Sequence, residues 1–306
     1  YIRARHPEGA SGLIDYALVT HFHPDHISGL PDVYAQMPFN TLLDRNWPET
    51  RRMPKLYREM MSRFEAFRKT YIEAGGRMER FEAGRLNQMI LCRAQEQYPT
   101  FEIRNIAAGG NAWTGKNSET QTLWEDSEPG QENNCSIAFI MTYGPFTYFT
   151  GGALLGRMEK MIAPVLKPVD IHVANHHGSE ALPAFLEALQ PRVHIVQVWD
   201  AIQPRWYALE RMQDEEIYSG PRDIFLTNGI WPERRYHILE GPHKFPEGNA
   251  QSYLDALEQL AAIQGHVVVR VASGGESYEI LVLDDSDENF RVKSRHGPYK
   301  SGQNHK

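Results

Sequence analysis

The stretch THFHPDHISGL, residues 20–30, overlaps the end of the apolar run LIDYALVT (13–20). LIDYALVT reads as a short buried strand. At its end His21, His23, Asp25 and His26 follow one another within a single turn of chain. Side chains alternate across a strand, so His21 and His23 share a face if strand geometry persists. Pro24 ends that geometry and turns Asp25 and His26 into the next helix, where Gly29 permits close packing. Imidazole and carboxylate are zinc ligands, and a catalytic zinc needs three protein ligands plus an open position. The plain alternative is an accidental polar turn. Four ligand types converging where a buried strand ends argue against it.

The rest of the chain alternates between two periodicities. Residues 55–74 carry Leu56, Met60, Phe64, Phe67 and Tyr71 at helical spacing, and Gly75-Gly76 stops that helix. The Met60–Met61 region is expected to face the core. FEIRNIAA (101–108) reads as a strand, and the Gly-, Asn- and Ser-rich residues 109–134 as a long loop. CSIAFIMTY (135–143) and FTYFT (146–150) flank Gly144-Pro145 as a hairpin. Strands are expected at 169–175, 193–199 and 223–228, and helices at 181–190, 204–218 and 253–264. The end reads as strands at 266–272, 277–284 and 289–295. This order predicts mixed sheets flanked by helices in one domain over residues 1–306, with a helical insertion near 33–76.

A second cluster, NHHGS (175–179), also follows a buried apolar strand. A lone buried histidine is more often a hydrogen-bonded core residue than a ligand. Adjacent His176 and His177 at a strand end, given the first cluster, favour the ligand reading. The formal net charge of −7 offers no global attraction for nucleic acid, so bulk nucleic acid is disfavoured as a partner. No apolar run reaches membrane-spanning length. Cys92 and Cys135 lack metal-type spacing. The first residues, YIRARHPEG, do not resemble a signal peptide, and the reading leans to the cytoplasm.

His21-x-His23-x-Asp25-His26 resembles the signature of the metallo-β-lactamase fold hydrolases. The later NN-x-S (133–136), FTGG (149–152) and NHHGS look like the branch that includes the hydrolase domain of the ComEC competence proteins. The resemblance implies an α/β fold, a four-layer α/β/β/α sandwich with its site at one edge of the sheets. It implies one or two zinc ions, or iron or manganese in some members, and hydrolysis by a metal-bound hydroxide. His21 and His23 would bind a first metal. Asp25 and His26 would bind the second, the catalytic one, joined by His176 or, as second choice, His177.

The sequence departs from that pattern. Only about twenty residues precede the histidines, so the fold is expected to lack its N-terminal strands. No histidine lies between His26 and His172. Relatives carry a bridging Asp where this chain has Gly152 or Ala153, with Ala153 the favoured position. Three ligands then remain at the second site against two at the first, so a tightly held ion is expected at the second.

Asn134, Trp199, Asp200 and Asn228 are candidate substrate contacts at other loop and strand ends. A core role for Trp199 and a turn cap for Asp200 are the plain alternatives. Trp113 could cover a pocket. His237, His243, His266 and His296 read as structural or surface residues. The expected activity is metal-dependent hydrolysis of an ester, lactone, amide or phosphodiester in a small substrate. The alternative is a catalytically impaired member of the fold that binds a ligand or partner.

Overall fold

The computed structural model describes residues 1–6, 12–46, 55–123, 132–199, 202–229, 236, 238–239 and 249–302. Asp200, His237 and His243 lie outside the described residues, as do the side chains of Leu56 and Met60. The chain divides into two compact units, residues 1–139 with 151–154, and residues 140–150 with 155–306. No helix among the described residues is long and apolar enough to cross a membrane.

The first unit opens with a short helix, α1 (Ile2–Arg5), and then builds a parallel sheet from β1 (Ile14–Leu18), β2 (Phe39–Asp44) and β3 (Arg77–Arg80). Ile14 pairs with Phe39 and Leu42 with Met78. Parallel neighbours need crossovers. Helices α2 (Pro24–Ile27) and α3 (Leu30–Gln36) make the first, and α4 (Lys55–Glu73) makes the second. The helical spacing of α4 lays Met61, Phe64 and Tyr71 in one core with Val19, Phe22, Ile27, Phe39 and Leu42. Tyr71 stays satisfied there because its hydroxyl donates to the Asn40 carbonyl at 2.7 Å. The segment near 33–76 therefore contains a buried strand, β2, between its helices.

Strand β4 (Phe101–Ala108) forms over the residues expected. The segment 109–134 is not a plain loop: β5 (Asn111–Trp113) pairs antiparallel with β4, and β6 (Thr120–Thr122) pairs with β5. Gly109 and Gly110 adopt positive φ in the first turn, and Gly115 and Asn117 in the second. These strands are too short for an alternating pattern to stand out. Trp113 belongs to this sheet rather than to a lid. Its indole donates to the Asn117 carbonyl at 3.0 Å, and the Arg104 guanidinium stacks 4.7 Å from the ring.

In the second unit β7 (Ala138–Tyr143, from Ile140 onward) and β8 (Phe146–Thr150) flank the Gly144 turn. Gly144 has φ +56°, and a Cβ there would lie 2.0 Å from the Gly274 carbonyl, so only glycine fits. Strands β8, β9 (Ile171–Val173), β10 (Val193–Val196) and β11 (Asp223–Leu226) run parallel in that order. Helices α5 (Gly156–Ile162), α6 (Pro183–Leu189) and α7 (Trp206–Gln213) connect them.

Helix α7 ends at Gln213 rather than near 218. Helix α8 (Asn249–Glu258) begins and ends before the expected 253–264. Strands β12 (His266–Val271), β13 (Ser277–Leu283) and β14 (Val292–Lys300) form an antiparallel meander. Tyr278, Ile280 and Val282 of β13 bury one face against Ile171, Val193, Ile195 and Phe225. On another contact, Phe185 of α6 packs edge-on to Phe149 and His172.

His172 and His194 are buried in the same unit. The Nδ1 atoms of His172 and His194 lie 3.1 Å apart, and His194 Nε2 lies 2.9 Å from the Tyr218 hydroxyl. Tyr218 donates to the Pro191 carbonyl at 3.2 Å. The tyrosine oxygen then accepts from His194 Nε2–H, and His194 Nδ1 accepts from His172 Nδ1–H. Both rings are therefore neutral, and burial pushes His172 down to about 3 and His194 well below the usual value.

Linkage gives the sign. Below about pH 6.5 the unfolded chain protonates both rings and the folded chain does not. Their contribution to stability is complete above that pH and is lost as pH falls, that of His172 towards about 3. Each ring contributes a slope of about 1.4 kcal/mol per pH unit over that window. His172→Leu should flatten the dependence by about that amount between pH 4.5 and 6. Urea unfolding across pH checks it, and an unchanged slope contradicts it.

Candidate metal centre

Strand β1 stops at Leu18, so strand geometry does not persist to His21 and His23 as expected. Pro24 occupies the first turn of α2 and His23 caps it in an extended conformation (φ −74°, ψ 151°), which aims the chain into the helix. The grouping of the histidines survives this change. Ring centroids of His21 and His23 lie 4.8 Å apart, and those of His21 and His26 4.0 Å apart. Asp25 Oδ2 lies 3.2 Å from His26 Nε2.

His21 is fully buried. Burial, followed by the neighbouring His26 and His23, holds it well below the usual histidine range. His23 is also lowered by burial, against the Glu132 and Asp25 carboxylates that raise it. Neutral imidazole is the form that binds metal. Thr20 Oγ1 sits 3.2 Å from His21 Nδ1, while His21 Nε2 is buried with no hydrogen-bond partner among the described residues. A buried lone pair without a donor is unfavourable unless a cation accepts it. The residues of this loop therefore fit a metal.

A buried ion pair, absent from the sequence reading, supports the loop. Glu132 Oε1 accepts from the Phe22 backbone N–H at 2.6 Å and from Arg45 Nε at 3.0 Å. Arg45 is 1 % exposed, and its guanidinium lies 5.0 Å from the centre of the Phe22 ring. Phe22 stands between His21 and His23, so this pair fixes the backbone that carries both.

The FTGG segment holds both positions at which the resemblance expects a carboxylate. Gly152 has φ +56°, and a Cβ there would meet Thr20 Cβ at 2.8 Å. A side chain at 152 would be strained and would require Thr20 to shift. Ala153 is 1 % exposed, and its N–H donates to Ser136 Oγ at 3.1 Å. Ala153, the position favoured from the sequence, carries only a methyl group.

In the second unit NHHGS forms a short turn, Asn175–Gly178, in which His176 (φ 48°, ψ 47°) and His177 (φ 57°, ψ 31°) both adopt left-handed backbone. His177 Nδ1 lies 2.9 Å from the Gln197 carbonyl. A carbonyl only accepts, so Nδ1 carries the proton and Nε2 is the basic nitrogen. This is how metal-binding histidines are oriented. His177, the second choice from the motif, thus has the orientation that a ligand would need.

Glu159, wholly buried in α5, accepts from Asn175 Nδ2, Ala181 N and Leu182 N. Burial pushes its carboxyl up to about 7 against those three donors. Asp170, also expected to be no ligand, accepts from Thr147 N, Thr147 Oγ1 and Gly302 N.

The candidate substrate contacts separate. Asn134 is buried in the turn Asn133–Cys135. Trp199 is 63 % exposed, not core, and its ring lies edge-on 6.3 Å from His177. Asn228 Oδ1 accepts from Gly229 N at 2.9 Å and shapes the turn after β11.

The sequence matches no family model and no curated protein. Several solved structures are similar to the chain at low identity. One, from Parabacteroides distasonis, is described as a metal-dependent hydrolase. It shares 12 % identity over 69 % of this chain and 75 % of its own, at a TM-score of 0.37. YhfI from Bacillus subtilis, a metallo-β-lactamase fold protein, shares 12 % over 85 % of this chain and 76 % of its own, at 0.31. Zinc-bound PqqB from Methylobacterium extorquens shares 11 % over 59 % of this chain and 61 % of its own, at 0.32.

Proposed function

We propose that the chain is a metal-dependent hydrolase of the metallo-β-lactamase four-layer fold, acting on an ester, lactone, amide or phosphodiester in a small substrate. The observation that carries the reading is the convergence of His21, His23, Asp25 and His26 around a buried imidazole nitrogen that has no hydrogen-bond partner among the described residues. Asp25 and His26 would hold a zinc-type ion with a histidine of the NHHGS motif as third ligand, the ligand set that the resemblance implies. When bound there, such an ion supplies Lewis acidity and ionises a water near neutral pH. Asp25 is then a ligand rather than a free base. The Gln197 carbonyl holds His177 in its ligand tautomer, and the Glu132–Arg45 pair holds the histidine loop. The exposed Trp199 ring beside His177 is positioned to meet substrate. The order of NN-x-S, FTGG and NHHGS supports the ComEC-type branch. Membrane spans and bulk nucleic acid form no part of the reading.

A second reading, a binding module without turnover, is favoured by one observation: position 153 is a buried alanine. Turnover on ester and phosphodiester panels, measured with the metal content of the purified protein, separates the two. The ligand count adds a prediction. His26→Ala should abolish tight zinc binding, whereas His21→Ala should weaken it less. Equal losses in a zinc titration contradict the assignment.

A further inference from the structure

The Glu159 carboxylate has no place in the ligand set, yet its hydrogen bonds bracket the loop that carries His176 and His177. Oε1 accepts from Asn175 Nδ2 at 2.9 Å and from Ala181 N at 3.3 Å, and Oε2 accepts from Leu182 N at 2.7 Å. One buried side chain therefore ties both ends of residues 175–182. Between those ends His176, His177, Gly178 and Ala181 all have positive φ. Three of them are not glycine, and such backbone persists only where its surroundings over-determine it. Gly178 is also confined: a Cβ there would lie 2.6 Å from Pro204 Cβ. Asn175 Oδ1 is buried with no hydrogen-bond partner among the described residues, so Nδ2 is the end of this amide that Glu159 engages.

We propose that Glu159 is a positioning residue for the metal centre: it holds residues 175–182 in the strained backbone that presents His177. The inference rests on the proposed function. Without the tie, the left-handed residues relax towards ordinary backbone and the imidazoles turn, while the surrounding strands and helices stay in place.

Glu159→Gln tests it. Glutamine keeps one acceptor, but its amide N–H groups face the Leu182 N–H. Zinc affinity, measured by chelator competition, should fall about 10–100-fold, and the absorption spectrum of the cobalt-loaded protein should change. Asn175→Ala removes one of the three hydrogen bonds and should act in the same direction by less; it serves if Glu159→Gln fails to fold.

Asp170→Asn is the control for a merely structural role. Asp170 is another buried carboxylate of this unit, and its partners are Thr147 and Gly302. That variant should lower Tm while leaving zinc affinity and the cobalt spectrum as in the wild type. Wild-type zinc affinity in folded Glu159→Gln and Asn175→Ala overturns the inference. An equal affinity loss in Asp170→Asn overturns it as well. A wild-type chain that binds no zinc overturns instead the functional reading beneath it.

Discussion

Glu132→Ala should destabilise the first unit by about 3–5 kcal/mol, the usual penalty for removing one partner of a buried ion pair. The size follows from what the glutamate leaves behind. Arg45 is 1 % exposed and would lose the carboxylate that pairs with its charge. The Phe22 N–H would lose its 2.6 Å acceptor. Replacing both partners by apolar residues should be milder, because no buried charge then remains. Urea unfolding of Glu132→Ala, Arg45→Met and the double variant measures the coupling. Strictly additive losses would mean that the pair does not act as a unit. The same variants reach function, because Phe22 lies between His21 and His23. Glu132→Ala should weaken zinc binding as well as stability.

Ala153→Asp carries the second large effect, and its sign depends on metal. Position 153 is buried, so a carboxylate there without a cation is unfavourable by several kcal/mol. Metal-free protein should lose that stability. Zinc should restore it, since binding to the folded state alone stabilises by about 2.7 kcal/mol at a hundredfold excess over Kd. The variant should also bind a second ion beside His21 and His23 and gain activity. Thermal melts with zinc and with chelator, together with bound-metal stoichiometry, check this. Equal destabilisation in both conditions, with no second ion, would contradict the placement of the lost carboxylate at 153. Gly152→Asp should be the more strained variant, because Gly152 has φ +56° and a Cβ there meets Thr20 at 2.8 Å.

Local pattern carried much of the fold. Strand β4 formed over the residues its composition predicts, and α4 buries Phe64 and Tyr71 at the spacing read from the sequence. β2 escaped because FNTLLD is buried at nearly every position, so it shows no alternation to separate it from the helices around it. The hairpin within 109–134 escaped because three-residue strands are defined by partners rather than by period.

The site shows the same division. The ligand-type residues were legible because they are adjacent in sequence. Their supports were not: Glu132 lies 110 residues from Phe22, and Glu159 lies 16 from Asn175. Neither pair leaves a local signature. The proposed preference for His177 rests on the Gln197 carbonyl, twenty residues on. The strand expected to reach His23 ended at Leu18, yet the clustering survived because Pro24 and the following helical turn bring His26 back over His21.

The central claim is that this chain builds a metal centre with one strong site. Calorimetric titration of chelator-treated protein with zinc tests it most directly. The account predicts one tightly bound ion per chain, lost in His26→Ala and retained with weaker affinity in His21→Ala. A protein that stays metal-free in excess zinc would contradict it.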